Sequence, residues 1–234
     1  MSSAIVAAAW LGGAAFVASL LYFLYFYLVL LGRPAAGTDW ITPVALDLAL
    51  FLAFATHHSI MPRAGVKQAL ARVLPPERER SLYVWIASAL FVVVCALWRP
   101  VPGVMYEVRG AWAWPLYAVQ VAGIGLALRA SARLDALELA GIRQVQHVRR
   151  AKSLAPLQVL GPYTIVRHPV YLGWVLLVFG APYMTASRFT FALISTLYLA
   201  LAIPLEERSL EQAFGDSYRE YKRRVRWRFL PGVY

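Results

Sequence analysis

The chain has 234 residues, of which 60% are hydrophobic and only 15% charged, with a mean hydropathy of +0.58. Soluble domains are about 45–50% apolar, and here the apolar residues fall in blocks near the roughly 20 residues that cross a bilayer, not in the alternating segments of about 10 residues of a β-barrel. The net charge of +11 fits basic loops gathered at one membrane face rather than nucleic-acid binding, and the single Cys95 excludes an intrachain disulfide and a Cys-based zinc site.

The pattern predicts an all-α polytopic bundle of five to six transmembrane spans, organised as one domain, with N-terminal helices over 1–134 and a core over 135–234. Residues 4–31 form an uncharged apolar block, longer than a signal-peptide core and without a basic segment before it, so a retained helix is expected. Gly12-Gly13 would let another helix approach closely, and Gly32-Arg33-Pro34 ends the block. The second block, 41–60, carries Asp47 and closes on Thr56-His57-His58-Ser59. Asp47 has two readings, a bridge between helices or a lining of a substrate path. Residues 61–80 are polar and basic, with breakers at Pro62 and Pro75-Pro76.

A third helix is expected over 82–98 and a fourth over 112–134, the latter holding Gln120, Arg129 and Arg133. Residues 135–168 alternate apolar and charged positions, which predicts an interfacial helix or lid. Residues 169–205 are apolar apart from Arg188; Gly180, Pro182 and Thr185-Ala186-Ser187-Arg188 read as a turn. A helical hairpin with arms 170–184 and 188–205 follows. After Glu206 a charged helix to about 226 and a basic aromatic tail are expected. With six spans, nineteen Lys and Arg lie on one side and four on the other, which puts the basic side, with both termini, in the cytoplasm.

Two polar islands stand out. One is Gly161-Pro162-Tyr163-Thr164-Ile165-Val166-Arg167-His168-Pro169-Val170-Tyr171-Leu172-Gly173, and the other is Glu206-Glu207-Arg208. Ionisable residues at the edges of membrane helices are costly, so they are functional candidates by default. The topology brings both islands, and His57-His58, to one membrane face. Plainer roles compete. His57-His58 can cap a helix at the headgroups, Glu206-Glu207 can pair with nearby arginines, and Tyr218 and Tyr221 can be packing residues. The basic run Arg223-Arg224-Val225-Arg226-Trp227-Arg228 reads as a lipid anchor.

Arg167-His168-Pro169-x-Tyr171-x-Gly173, the hairpin, Glu206-Glu207 and Phe214-Gly215-x-x-Tyr218-x-x-Tyr221 together resemble the isoprenylcysteine carboxyl methyltransferase and phospholipid methyltransferase superfamily. His58-Ser59-Ile60-Met61-Pro62-Arg63, Glu79-Arg80-Ser81-Leu82-Tyr83-Val84, Trp98-Arg99-Pro100 and Leu139-x-Gly141-Ile142-Arg143-Gln144-Val145 resemble its methanethiol S-methyltransferase branch. That branch has an Asn-His-Phe run before the last motif, where this chain has Leu134-Asp135-Ala136-Leu137. The departure bears on the acceptor.

The resemblance implies an integral-membrane enzyme of the bacterial cytoplasmic membrane. Its cofactor would be S-adenosyl-L-methionine, bound at a cytosolic-face pocket. The acceptor would be a small or lipophilic thiol, with membrane lipids as surroundings. It implies cofactor contacts from His168, Tyr171 and one of Glu206 and Glu207, with Tyr163, Arg167, Pro169, Gly173 and Tyr218 in the same motifs. A carboxylate suits the ribose hydroxyls or the ammonium, a guanidinium the carboxylate, and an aromatic face the adenine or the sulfonium. A thiol acceptor needs a base, since the thiolate is the nucleophile. His58, and less so His57, are the candidates, with Arg63 or Arg143 favouring the thiolate. Alternatives are carboxyl O-methylation of an isoprenylated cysteine, N-methylation of a phospholipid amine, and a non-catalytic accessory role. Four dispersed histidines with no Cys or carboxylate at ligand spacing support no metal site.

Overall fold

A computed structural model describes residues 3–134, 137, 140–143 and 157–234. Half of the expected interfacial segment over 135–168, including Asp135-Ala136 and the Leu139 and Gln144-Val145 ends of the branch motif, lies outside the described residues. Among the described residues five helices are long and apolar enough to cross a membrane, and one shorter apolar helix accompanies them. The contacts divide the chain into two compact units. One holds the chain up to Pro102 with the described residues between 135 and 143; the other holds 103–134 and the chain from 157 onward.

In the first unit, α1 (Ser3–Tyr25) runs on into a π-helical turn, Phe26–Leu30. Helix α2 (Ile41–Ile60) takes the bounds that its apolar block predicts. Asp39 Oδ1 accepts the Ile41 and Thr42 amide N–H groups at 3.1 and 3.2 Å, which a helix start would otherwise leave unpaired. A short α3 (Ala64–Leu70) precedes α4 (Pro76–Leu97). Helix α4 begins before residue 82, where the apolar stretch starts. A first-turn proline has no N–H to lose, and Arg and Glu are good helix formers, so the charged turn simply extends the helix out of the apolar layer.

Gly12 does allow a close approach: the Trp85 indole donates to Ala8 O at 3.0 Å, and a Cβ on Gly12 would meet that indole nitrogen at 2.9 Å. Asp47 acts as a bridge. It is 0% exposed, and its Oδ1 accepts the Arg99 backbone N–H at 2.7 Å, tying α2 to the chain just beyond α4. Cys95 is a buried, free thiol.

In the second unit, β1 (Val104–Glu107) pairs antiparallel with β2 (Tyr183–Thr185), with an irregularity between Val104 and Tyr106. The sequence pattern does not predict these strands. They are three and four residues long, and every residue of β1 is exposed, so no alternation marks them. Helix α5 (Ala113–Ser131) packs on α6 (Pro169–Phe179), so α5 belongs with the C-terminal part of the chain rather than with the helices before it. The α5–α6 crossing is backbone against backbone. A Cβ on Gly123 would lie 2.6 Å from Gly173 O, and one on Gly173 would lie 2.6 Å from Gly123 O.

Helix α7 (Ala186–Phe214) corrects the expected hairpin. Its arm does not end at 205 but runs straight through Glu206-Glu207, because a pair of glutamates does not break a helix. Gly215, at φ 54°, ends it, and α8 (Asp216–Arg224) follows. Thr185 caps the start of α7, its Oγ1 accepting the Arg188 amide at 3.1 Å. Pro204 lies inside α7 and has no N–H to give to Ala200 O, four residues back. The Tyr234 hydroxyl donates to that freed carbonyl at 3.3 Å.

Candidate active site

The two polar islands meet in the second unit. Pro169 opens α6, and Arg167 and His168 are non-helical chain just before it. Their amides donate to Trp227 O at 3.0 Å and Arg228 O at 2.7 Å, so the C-terminal segment is paired alongside them. Ala186 and Glu207 are 21 residues apart on α7, about 32 Å at helical rise. The site therefore sits about one bilayer thickness from the β1–β2 sheet along α7.

Neighbouring residues on a helix point about 100° apart, and Glu206 and Glu207 meet different partners. Glu207 is buried. Its Oε1 accepts from Arg167 Nε at 2.6 Å, and its Oε2 lies 3.4 Å from Arg228 Nε. The Arg167 and Glu207 side chains are each 7% exposed. Arg167 Nη1 also donates to Val225 O at 2.7 Å and Arg226 O at 2.8 Å. Glu206 is 42% exposed and accepts a short hydrogen bond from the Tyr171 hydroxyl. His168 lies between the two carboxylates, with Nδ1 3.6 Å from Glu206 and Nε2 3.5 Å from Glu207, and its ring stacks on Tyr171 at 5.3 Å and 10°.

Among the described residues two buried polar atoms here make no hydrogen bond of ordinary geometry, His168 Nε2 and the Tyr218 hydroxyl, although both lie near the Glu207 carboxylate. Tyr218 is 1% exposed. Burial raises its phenol above the ordinary range, and the negative charge of Glu207 raises it further. Burial also raises the Tyr221 phenol, whose hydroxyl donates to Tyr163 O at 2.7 Å. Tyr163, Tyr218, Tyr221, Ala130 and Val225 form one hydrophobic cluster. Orphaned buried polar groups are rare and call for an explanation; a ligand with matching donors and acceptors supplies one.

Arg167, His168, Tyr171, Glu206, Glu207 and Tyr218 thus come together as expected from their motifs. Tyr163, Pro169 and Gly173 have structural surroundings instead: the tyrosine cluster, the first turn of α6, and the crossing with α5. Arg228 joins the site although its basic run reads as a lipid anchor. Its guanidinium lies 4.7 Å over the Tyr234 ring. A run of six residues with four arginines carries no signal for which one turns inward.

In the first unit, Tyr83 Oη and His58 Nδ1 are 2.9 Å apart. His57 stacks on Tyr83 at 5.7 Å and 13°, and Phe54 stacks on His58 at 5.3 Å. Arg80 lies 4.9 Å over the Tyr83 ring, and both ring nitrogens of His57 are buried without a hydrogen-bond partner. Arg63, expected near His58, turns its Nε back to Ser59 O at 3.3 Å, and Arg143 is exposed. The guanidinium beside this cluster is that of Arg80. Its i, i+3 spacing to Tyr83 on one helix is the signal for it.

The chain is 38% identical over 194 residues to methanethiol S-methyltransferase 1 of Bradyrhizobium diazoefficiens, covering 81% of this chain and 68% of that protein. It is 38% identical over 185 residues to the methanethiol S-methyltransferase of Mycobacterium tuberculosis, covering 78% and 76%. The chain belongs to the methanethiol S-methyltransferase family. It is a membrane methyltransferase of that family and uses a methyl donor. Nurim of Bos taurus is also similar, 31% identical over 199 residues and 76% of each chain. No family model and no solved structure matches the chain.

Proposed function

We propose that the protein transfers a methyl group from S-adenosylmethionine to a small thiol of the methanethiol type, giving a thioether and S-adenosylhomocysteine. The observation that carries this is the cluster around His168, where two buried polar atoms that make no hydrogen bond of ordinary geometry stand beside a half-open carboxylate. The donor set fits the cofactor. Glu206 would accept from the ribose hydroxyls or the ammonium, while His168 Nε2 and the Tyr218 hydroxyl, which make no hydrogen bond of ordinary geometry among the described residues, would have capacity for it. Glu207 is not the cofactor carboxylate in this reading; it holds Arg167, and through it the chain before α6.

Bound S-adenosylmethionine supplies a methyl group already activated on a sulfonium. The protein's task is then alignment, which is worth about 7–11 kcal/mol, and removal of the thiol proton. We assign that proton to His58. Its Nδ1 is occupied by Tyr83, so any base acts through Nε2. A free lone pair on Nε2 requires the proton on Nδ1, and the Tyr83 oxygen is the acceptor for it. Arg63 and Arg143 remain the proposed sources of positive charge for the thiolate. The basic connections support a site and both termini on the cytoplasmic side, with the bacterial inner membrane as the proposed location.

The test is S-adenosylhomocysteine release by the purified full chain in detergent. Methanethiol, a longer alkyl thiol, a farnesyl-cysteine analogue and phosphatidylethanolamine are offered separately. Turnover on a thiol alone is the expected result. Turnover on the prenylated cysteine or the lipid amine overturns the acceptor, and failure to bind S-adenosylhomocysteine overturns the cofactor. His58→Ala should abolish thiol turnover and spare cofactor binding; unchanged turnover would remove His58 from the reaction.

A further inference from the structure

A bound aminoacyl sulfonium carries a carboxylate, and the arginine expected to meet it, Arg167, is already committed. Its charge is matched by Glu207 at 2.6 Å, its Nη1 is spent on two carbonyls, and its side chain is 7% exposed. A second guanidinium reaches the same glutamate. Arg228 touches Glu207 only through Nε, at 3.4 Å, and its side chain is 32% exposed. Among the described residues its terminal amino groups take no partner.

We propose that Arg228 binds the carboxylate of the cofactor's amino-acid end. This rests on the S-adenosylmethionine reading and names the residue that recognises one end of that ligand. Three observations carry it. The first is charge. Arg167 and Arg228 face one buried carboxylate, Glu207, so that corner holds an unmatched positive charge; the other carboxylate, Glu206, is held by Tyr171 on the far side of His168. A ligand with a carboxylate at one end and cationic groups elsewhere complements that division.

The second observation is preorganisation. Arg228 N donates to Tyr234 O at 2.9 Å and Arg228 O accepts from His168 N at 2.7 Å, so both sides of its peptide backbone are held. Its guanidinium lies over the Tyr234 ring. A planar fork held in this way loses little freedom on forming a bidentate pair. The third is that, among the described residues, His168 Nε2 and the Tyr218 hydroxyl reach only toward Glu207 and make no hydrogen bond of ordinary geometry, so the same corner has donor capacity left for a ligand.

The test measures calorimetric affinities of the full chain in detergent for two ligands. One is S-adenosylhomocysteine. The other is its decarboxylated analogue, which differs only in lacking the carboxylate. Arg228→Gln should weaken S-adenosylhomocysteine about ten- to a hundred-fold and leave the analogue's affinity unchanged. Arg228→Lys, which keeps the charge and loses the fork, should show a smaller loss confined to the same ligand, and it serves if the Gln variant does not fold. An equal loss for both ligands, or none for either, overturns the proposal. So does a variant whose only defect is weaker retention on phosphatidylglycerol vesicles, since Arg228 would then serve lipid headgroups. If the unmodified protein binds neither ligand, the cofactor reading itself fails, and that outcome is distinct from the others.

Discussion

One step along α7 separates Glu206 from Glu207, and the rotation that comes with it decides what each can do. Glu207→Gln removes the counter-charge of a guanidinium that is 7% exposed. Breaking a buried pair by deleting one partner costs about 3–5 kcal/mol, so thermal unfolding in detergent should drop by on the order of 10 °C. Glu206→Gln leaves the Tyr171 and His168 contacts of a half-exposed side chain to adjust. It should melt near the parent temperature and lose S-adenosylhomocysteine affinity. The reverse pattern would exchange the two roles. Tyr218 and Tyr221 give the residue scale a pH signature. Both phenols are raised by burial from an ordinary value of 10.0. A raised phenol contributes stability that is complete below about pH 10 and is lost as pH climbs through the higher folded value. Melting temperature should therefore fall steeply above pH 10, and Tyr221→Phe should flatten that slope.

Helices here are held by what their backbones lack as much as by their side chains. Gly123 and Gly173 let α5 and α6 touch carbonyl to Cα, which fits association in lipid, where small residues and close packing replace the hydrophobic drive. Gly173→Ala would put a methyl 2.6 Å from the Gly123 carbonyl. The expected cost is that of an overpacked core, about 1–3 kcal/mol. A lower melting temperature with the cofactor's affinity per folded molecule retained is the outcome to look for; loss of affinity at full stability would return Gly173 to the binding site. In α7 the missing N–H of Pro204 is answered by the hydroxyl of Tyr234. That pairing is readable in neither segment alone. Bounds set by apolar length came out well where polar caps coincide with the bilayer edge, as in α2. They failed in α4 and α7, where helix-forming charged residues carry the helix past the apolar layer.

For the molecule as a whole, five long apolar helices among the described residues and the uneven distribution of Lys and Arg between the connections predict a sidedness that labelling can check. Trp40 and Val73 are both strongly exposed and flank the span of α2. In a background with Cys95 replaced by Ala, Trp40→Cys should react with an impermeant maleimide in intact cells, and Val73→Cys only after permeabilisation. The opposite result inverts the orientation, and labelling of both from one side removes α2 as a span. The sequence alone determined the class and the identity of the Arg167-His168 and Glu206-Glu207 islands, and bounded the spans at five to six. Those follow from apolar run length and from the cost of ionisable groups at a membrane edge, both of which are local properties of the chain. The tertiary structure decided which glutamate is spent on the more buried arginine, that Arg228 turns toward the same glutamate, that Tyr83 meets His58, and that Gly173 packs against α5. Each of these depends on which atoms face one another across segments tens of residues apart, and no periodicity within a segment encodes that.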